Sequence, residues 1–337
     1  MKPTPAFAIT VLLIVLLTFG ACCSALGEPE YDNPVVYQRA DPWIHKADCG
    51  TYYFIATVPE YDRIEIRTAE TINGLSEAES VVVWRRHESG PMTYNIWAPE
   101  LHRMNDTWYI YFAAGHSDDR WRIRMFALSN TADDPTEGTW IEEGQIYTDR
   151  DAFALDATAF EHKGELYYVW AESTDPDINS GLLISKMQDP VTLTGPQVVI
   201  SEPEYEWERH TYNVNEGAAV IKRNGRIFIT FSASATDHTY AMGLLWADED
   251  SNLLDPDSWN KLPEPVFYTN EEVHRFGPGH NSFTIAEDGK TDLLVYHARE
   301  YKETEGHSLG DPNRHTRVRV LHWDDEGFPD FRQEMGD

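Results

Sequence analysis

From about residue 40 the chain alternates apolar and polar positions in short runs, with almost no helical periodicity. The clearest unit is a polar turn followed by an aromatic-rich strand. It reads DCGTYYFIAT at 48–57, NDTWYIYFAA at 105–114, KGELYYVWAE at 163–172, NGRIFITFSA at 224–233 and DGKTDLLVYHA at 288–298. Asn-Gly, Asp-Gly and their relatives tolerate the positive φ that tight hairpins need, so each copy predicts two antiparallel strands. A further strand follows in RIEIRTAE at 63–70, RWRIRMFALS at 120–129, SGLLISKM at 180–187 and TYAMGLLWA at 239–247. The copies recur at about positions 41, 98, 156, 216 and 280. Repeats of several antiparallel strands, none able to bury both faces alone, predict an all-β fold: a five-bladed β-propeller with a central channel. A two-sheet sandwich is the alternative, but a repeat of roughly 60 residues is too long for its strand spacing of about 8–12.

The N-terminus breaks this pattern. Residues 6–26, AFAITVLLIVLLTFGACCSAL, form an apolar run behind Lys2. This predicts a signal peptide at 1–25 and a single propeller domain at 26–337, hence a secreted, extracellular protein. An uncleaved anchor or a lipid on Cys22 or Cys23 are the alternatives. After cleavage only Cys49 remains, so no internal disulfide is expected. Asn105-Asp106-Thr107 is a glycosylation sequon. The net charge of −30 argues against binding a phosphate backbone, so nucleic acid is excluded as a partner. Nothing in the loops signals an interface, and a monomer is the default.

If each unit lends its first strand to the channel, the starts of those strands converge on one end of the axis. Counting back about nine residues from each turn reaches Asp41 in RADPWI, Trp97 in NIWAPEL, Asp156 in ALDATAF, Glu216 in NVNEGAAV and His280 in GPGHNSF. Each of the three acids, taken singly, is accounted for by a strand-end carboxylate bonded to backbone amides. Three acids at one structural station, among small and apolar neighbours where charge is costly, predict more. One carboxylate can activate water, a second protonate a leaving oxygen, and a third raise the pKa of the acid, which is the chemistry of glycosidic cleavage. Trp97 is either blade core or a sugar-stacking platform. A lone His280 in a Gly-rich turn reads first as a hydrogen-bonded structural residue, and no metal-ligand spacing accompanies it. Asp118, Asp119 and the acids of 202–208 read as solvated loop charges.

On these motifs, ADPWI, WAPELH, LDATAF, NEGAAV, GPGHNS and DPNRHTRVRVLHW, the sequence resembles glycoside hydrolase family 43 over about residues 35–330. The resemblance implies an inverting hydrolase in which Asp41 is the general base, Glu216 the general acid, and Asp156 the residue that orients the acid and raises its pKa. The carboxyl separation would then be about 6.5–9.5 Å. It further implies that Arg314, or less well Arg317, contacts the terminal sugar, and that His280 lies beside a hydrated calcium ion, with no cofactor required for the chemistry. Among the family's activities the RHTRV ending favours release of terminal α-L-arabinofuranosyl residues from plant cell-wall saccharides. β-Xylosidase and endo-arabinanase are the alternatives on the same fold. The fructan and sucrose hydrolases fit less well, because Asp156 follows Leu155 and Glu216 precedes Gly217. A propeller lectin would repeat similar residues in every blade, whereas these five stations differ.

Overall fold

The structure, a computed structural model, describes Met1 and residues 28–336. The predicted signal peptide at 1–25 therefore lies outside the described residues except for Met1. Blade I is β1 (Ala40–Lys46), β2 (Tyr52–Thr57), β3 (Arg63–Ala69) and β4 (Val81–Arg85). Blade II is β5 (Tyr94–Met104), β6 (Thr107–His116), β7 (Asp119–Asn130) and β8 (Ile141–Gln145). Blade III is β9 (Ala154–His162), β10 (Glu165–Glu172), β11 (Gly181–Asp189) and β12 (Thr192–Ser201). Blade IV is β13 (Asn215–Arg223), β14 (Arg226–Ala233), β15 (Ala241–Asp248) and the short β16 (Asn260–Lys261). Blade V is β17 (Phe276–Ile285), β18 (Asp292–Arg299) and β19 (His315–Val320), followed by a two-stranded ribbon, β20 (His322–Trp323) and β21 (Pro329–Asp330). All named strand pairs are antiparallel between sequence neighbours, which makes the protein the predicted five-bladed propeller.

The turn chemistry explains the hairpins. Asn105 and Asp106, Lys163 and Gly164, and Asn224 and Gly225 all have positive φ at both central positions, which matches the right-handed twist of the flanking strands. The apolar core is divided into clusters wedged between adjacent blades rather than gathered at the axis. Trp84, Trp108 and Phe112 join blades I and II, Tyr111, Tyr168 and Trp170 join II and III, and Phe228, Phe267 and Tyr296 join IV and V. Each first strand packs against the first strands of both neighbouring blades, so the axis is lined by β1, β5, β9, β13 and β17.

Ring closure uses the N-terminal segment. Val36 bridges Thr316 beside β19, where a fourth strand of blade V would run, through hydrogen bonds of 2.9 and 3.4 Å. Asn33 reinforces it by donating to the Val318 carbonyl (2.7 Å) and accepting from the Val318 amide (2.8 Å). Asn33→Ala leaves both backbone groups unpaired, so unfolding stability should fall by about 1–3 kcal/mol while the native fold is kept. Denaturant titration checks this; an unchanged midpoint would remove Asn33 from the closure.

Candidate active site

Every first strand is broken near its start by an irregularity in register, and in each blade a residue there takes a left-handed backbone: Asp41 (φ 54°), Ala98 (46°), Asp156 (54°), Gly217 (59°) and His280 (42°). Non-glycine residues rarely adopt this region, and bulges of this kind re-aim side chains. The repeat revises the predicted register. Asp41, Asp156 and His280 are equivalent, but Trp97 and Glu216 each precede the left-handed residue, so Glu216 stands one position out of line with the two aspartates. The N–H that a bulge removes from the sheet ladder is captured by the preceding blade in four cases. Thr57 Oγ1 accepts from Ala98 N (2.7 Å), Ser232 Oγ from His280 N (2.7 Å), His297 Nδ1 from Asp41 N (3.1 Å), and the Asp156 carboxylate from Gly217 N.

Asp41, buried at 8 % exposure, is compensated on both oxygens. Thr57 donates to Oδ2 (2.6 Å) and Arg314 Nη1 to Oδ1 (3.2 Å). His280 Nδ1 stands 3.3 Å from the same Oδ1 and 3.7 Å from Asp156 Oδ2, between the two aspartates. Burial by itself would raise the Asp41 carboxyl, but Arg314, supported by Thr57, outweighs it and holds the group below the usual carboxylate range. His297 and His280 are both pushed down by burial and are neutral near pH 7, so the guanidinium is the cation that matters. Because His297 Nδ1 accepts the Asp41 amide, its ring carries the proton on Nε2.

The other two acids are driven the opposite way. Burial first, then the charges of Glu216, Asp41 and Glu100, raise Asp156 well above its ordinary value, with the Gly217 amide working against them. Glu216 is pushed up to about 7 by burial and by Asp41, against the Tyr240 hydroxyl, which donates to Oε1 at 2.8 Å, and against Arg314. One carboxylate is thus held ionised and another held protonated around one space.

That space is a cavity of about 500 Å³ whose lining includes Asp41, Asp156, Glu216, His280 and Arg314 at its buried floor and Trp97, Trp121, Tyr212 and His307 among its walls. All six predicted site residues therefore meet. Arg317 does not join them; its guanidinium pairs with Glu300 (3.1 Å). Residues 31–329 match the profile of glycosyl hydrolases family 43. The chain belongs to that family. It is 55% identical over 294 residues to an extracellular exo-α-(1→5)-L-arabinofuranosidase of Streptomyces chartreusis, covering 87% of this chain and 88% of that protein. A protein of the same name from Streptomyces avermitilis is 46% identical over 336 residues, covering 98% of this chain and 70% of the relative. The crystal structure of an α-L-arabinofuranosidase from Lactobacillus brevis superimposes with a TM-score of 0.88 at 50% identity, covering 91% of this chain and 97% of that one.

Some contributors to this family 43 site were not foreseen. Thr57, Tyr240 and His297 lie in strands that the repeat itself marks, but their roles depend on contacts across blades. Glu208 corrects an expectation: it is fully buried rather than a solvated loop charge, whereas Asp118 and Asp119 are exposed as expected. As for calcium, no group of three or more His, Cys, Asp or Glu side chains among the described residues could hold a metal. The donor set therefore fits only an ion that keeps most of its water. Trp97 packs edge-on against Tyr61 and lies 6.1 Å from Trp121, serving core and cavity wall together.

A methyl group on Gly217 would stand 3.1 Å from His280 Cγ in a backbone region that disfavours a side chain. Gly217→Ala should cost roughly 1–3 kcal/mol of stability and lower kcat/KM by displacing the acid-bearing strand. Calorimetry and steady-state kinetics read both, and wild-type values would show that the left-handed position is not constraining.

Proposed function

We propose that this family 43 protein is a secreted exo-acting α-L-arabinofuranosidase that cleaves with inversion, Asp41 serving as general base, Glu216 as general acid and Asp156 as the residue that tunes and orients the acid. The observation that carries the reading is the opposite bias of Asp41 and Glu216 around one cavity floor. The ionised Asp41 takes a proton from water as that water attacks the anomeric carbon. Glu216 gives its proton to the departing oxygen. Asp156 orients the acid by accepting the Gly217 amide on the strand that carries Glu216, and the two buried carboxyls lie close enough for the charge of Glu216 to raise Asp156. Arg314 is placed to hold Asp41 and to donate to a terminal-sugar hydroxyl from the same floor. A hydrated calcium near His280 would add positive charge beside the carboxylates and is required for none of these proton transfers. The arabinofuranosidase names of relatives at 46–55% identity support arabinose over xylose and exo over endo action. We take the active unit to be a monomer.

Purified protein should release arabinose from p-nitrophenyl α-L-arabinofuranoside and from linear arabinan, with little xylose from p-nitrophenyl β-D-xyloside. Glu216→Ala should lose about 10²–10⁴-fold on arabinan and less on the nitrophenyl substrate, whose leaving group needs less protonation. Dominant xylose release would overturn the substrate, and binding without cleavage would replace the enzyme with a lectin.

The pH profile follows from the same groups. Activity should fall on the alkaline side near pH 7 as Glu216 loses its proton, and extend on the acid side below the usual carboxylate range. The Tyr240 hydroxyl favours the charged form of Glu216, so Tyr240→Phe should move the alkaline limb upward by about one pH unit. A limb that stays put or moves down would detach Tyr240 from the acid.

A further inference from the structure

Segment 202–213 connects blade III to blade IV and ends just before Glu216. Its Glu208 has no solvent exposure, yet it is not used by the chemistry above. Glu208 Oε2 accepts from the backbone amides of Glu204 (2.7 Å) and Tyr205 (2.8 Å). Oε1 accepts from Asn215 Nδ2 (2.9 Å) and pairs with Lys261 Nζ at 2.6 Å. Four donors occupy the acceptor sites of one carboxylate, an arrangement that only the ionised group can satisfy. The network extends outward from there. Lys261, on the outermost strand of blade IV, also donates to Glu202 O (2.7 Å) and Asn215 Oδ1 (3.2 Å), and Ser201 at the end of blade III donates to that same Oδ1 (2.7 Å). A single buried ion pair thus ties both ends of the segment to two blades and to the residue next to Glu216.

The middle of the segment reaches the cavity. Tyr212 is 41% exposed, lines the cavity, and its hydroxyl lies 3.4 Å from His307 Nε2 on the β18–β19 connection. The acids sit at the buried floor, so a terminal sugar cleaved there leaves the remainder of its chain at the exposed end, among Trp121, Tyr212 and His307. Tyr212 makes no bond to the floor residues. Its position is set by the backbone of its segment, which is held on one side at Asn213 by Asn179 Oδ1 (2.9 Å) and the Asp177 carbonyl (2.8 Å), and on the other by His210 N to Ser234 Oγ (2.9 Å), Val214 N to Glu208 O (3.4 Å) and the Glu208 side chain.

We propose that Glu208, paired with Lys261, is a positioning residue that holds segment 202–213 so that Tyr212 forms one wall of the leaving-group end of the cavity, and thereby sets how well a saccharide leaving group is accepted. This rests on the arabinofuranosidase reading. It separates two tasks in one segment: the floor cleaves whatever terminal sugar enters, and the buried pair governs what may follow that sugar.

The test compares Glu208→Gln, Lys261→Met, the double variant and Tyr212→Ala with wild type on α-1,5-arabinotriose, whose leaving group fills the mouth, and methyl α-L-arabinofuranoside, whose leaving group does not. Glu208→Gln should raise KM for arabinotriose about tenfold while kcat/KM for the methyl glycoside stays within about twofold and the pH profile is unmoved, and Tyr212→Ala should raise the arabinotriose KM to a similar extent. Hydrogen exchange should quicken at the Glu204 and Tyr205 amides in Glu208→Gln. The double variant, which buries no charge, should regain melting temperature over Lys261→Met without regaining the arabinotriose KM. Equal losses on both substrates would make the pair merely structural and overturn the proposal, as would unchanged exchange. If the Glu208 and Lys261 variants do not fold, Tyr212→Ala at its exposed position still decides, and an unaltered KM overturns the proposal. Wild type releasing no arabinose from either substrate would instead overturn the functional reading, and the exchange comparison would still judge whether Glu208 holds the segment.

Discussion

At the top of each blade an amide is taken out of its sheet, and both the ring and the site are built on where that amide goes. A left-handed residue interrupts the first strand, and the freed N–H cannot stay buried and unpaired without costing about 1–3 kcal/mol. In four of the five blades a side chain from the blade before accepts it: Thr57 for Ala98, Asp156 for Gly217, Ser232 for His280 and His297 for Asp41. These links serve as blade-to-blade joints, and they also fix the direction in which Asp41, Asp156, Glu216 and His280 face the axis. Stability and site geometry therefore come from the same hydrogen bonds.

The asymmetry of the site follows from which residue occupies each repeat of this device. Where blade I has an aspartate, blade V brings Arg314 to it and blade I itself supplies Thr57, so the carboxylate stays charged. Where blade IV has a glycine, the preceding Glu216 is displaced by one position and meets Tyr240 rather than a cation. Burial then dominates and the acid keeps its proton. Blade II has Ala98, with no charge at all, and gives the space to Trp97 as a wall. One backbone motif thus yields an ionised carboxylate, a protonated one and a hydrophobic side according to the residue each blade places there, while the apolar energy that keeps the ring together is stored between blades, away from the polar axis.

Much of this was legible in the chain because it is local. The turns at 105–106, 163–164 and 224–225 carry residues suited to positive φ, and the alternating strands between them show the blade period directly. Asp41, Asp156, Glu216, Trp97, His280 and Arg314 stand out by motif and position, and they meet as expected. What was not legible is what depends on contacts between distant residues. The one-residue offset of Glu216 comes from a bulge, which shifts register without altering composition. Thr57, Tyr240 and His297 look like ordinary strand-end residues until a neighbouring blade is set against them. Glu208, in a run of acids, looks solvated because nothing local shows that Lys261, more than fifty residues later, returns to it. Closure through Asn33 and Val36 is of the same kind, joining the two ends of the ring.

If, as proposed, an ionised Asp41 and a protonated Glu216 act on opposite sides of one glycosidic bond in a single displacement, the anomeric centre must invert. Proton NMR of the sugar first formed from methyl α-L-arabinofuranoside, whose leaving group is methanol and brings no second reducing sugar, recorded before mutarotation, reads the outcome. The β-anomer of arabinofuranose should appear first, and the α-anomer should grow in afterwards. If the α-anomer appears first, the configuration is retained, a covalent intermediate lies on the path, and the roles given to Asp41 and Glu216 are wrong.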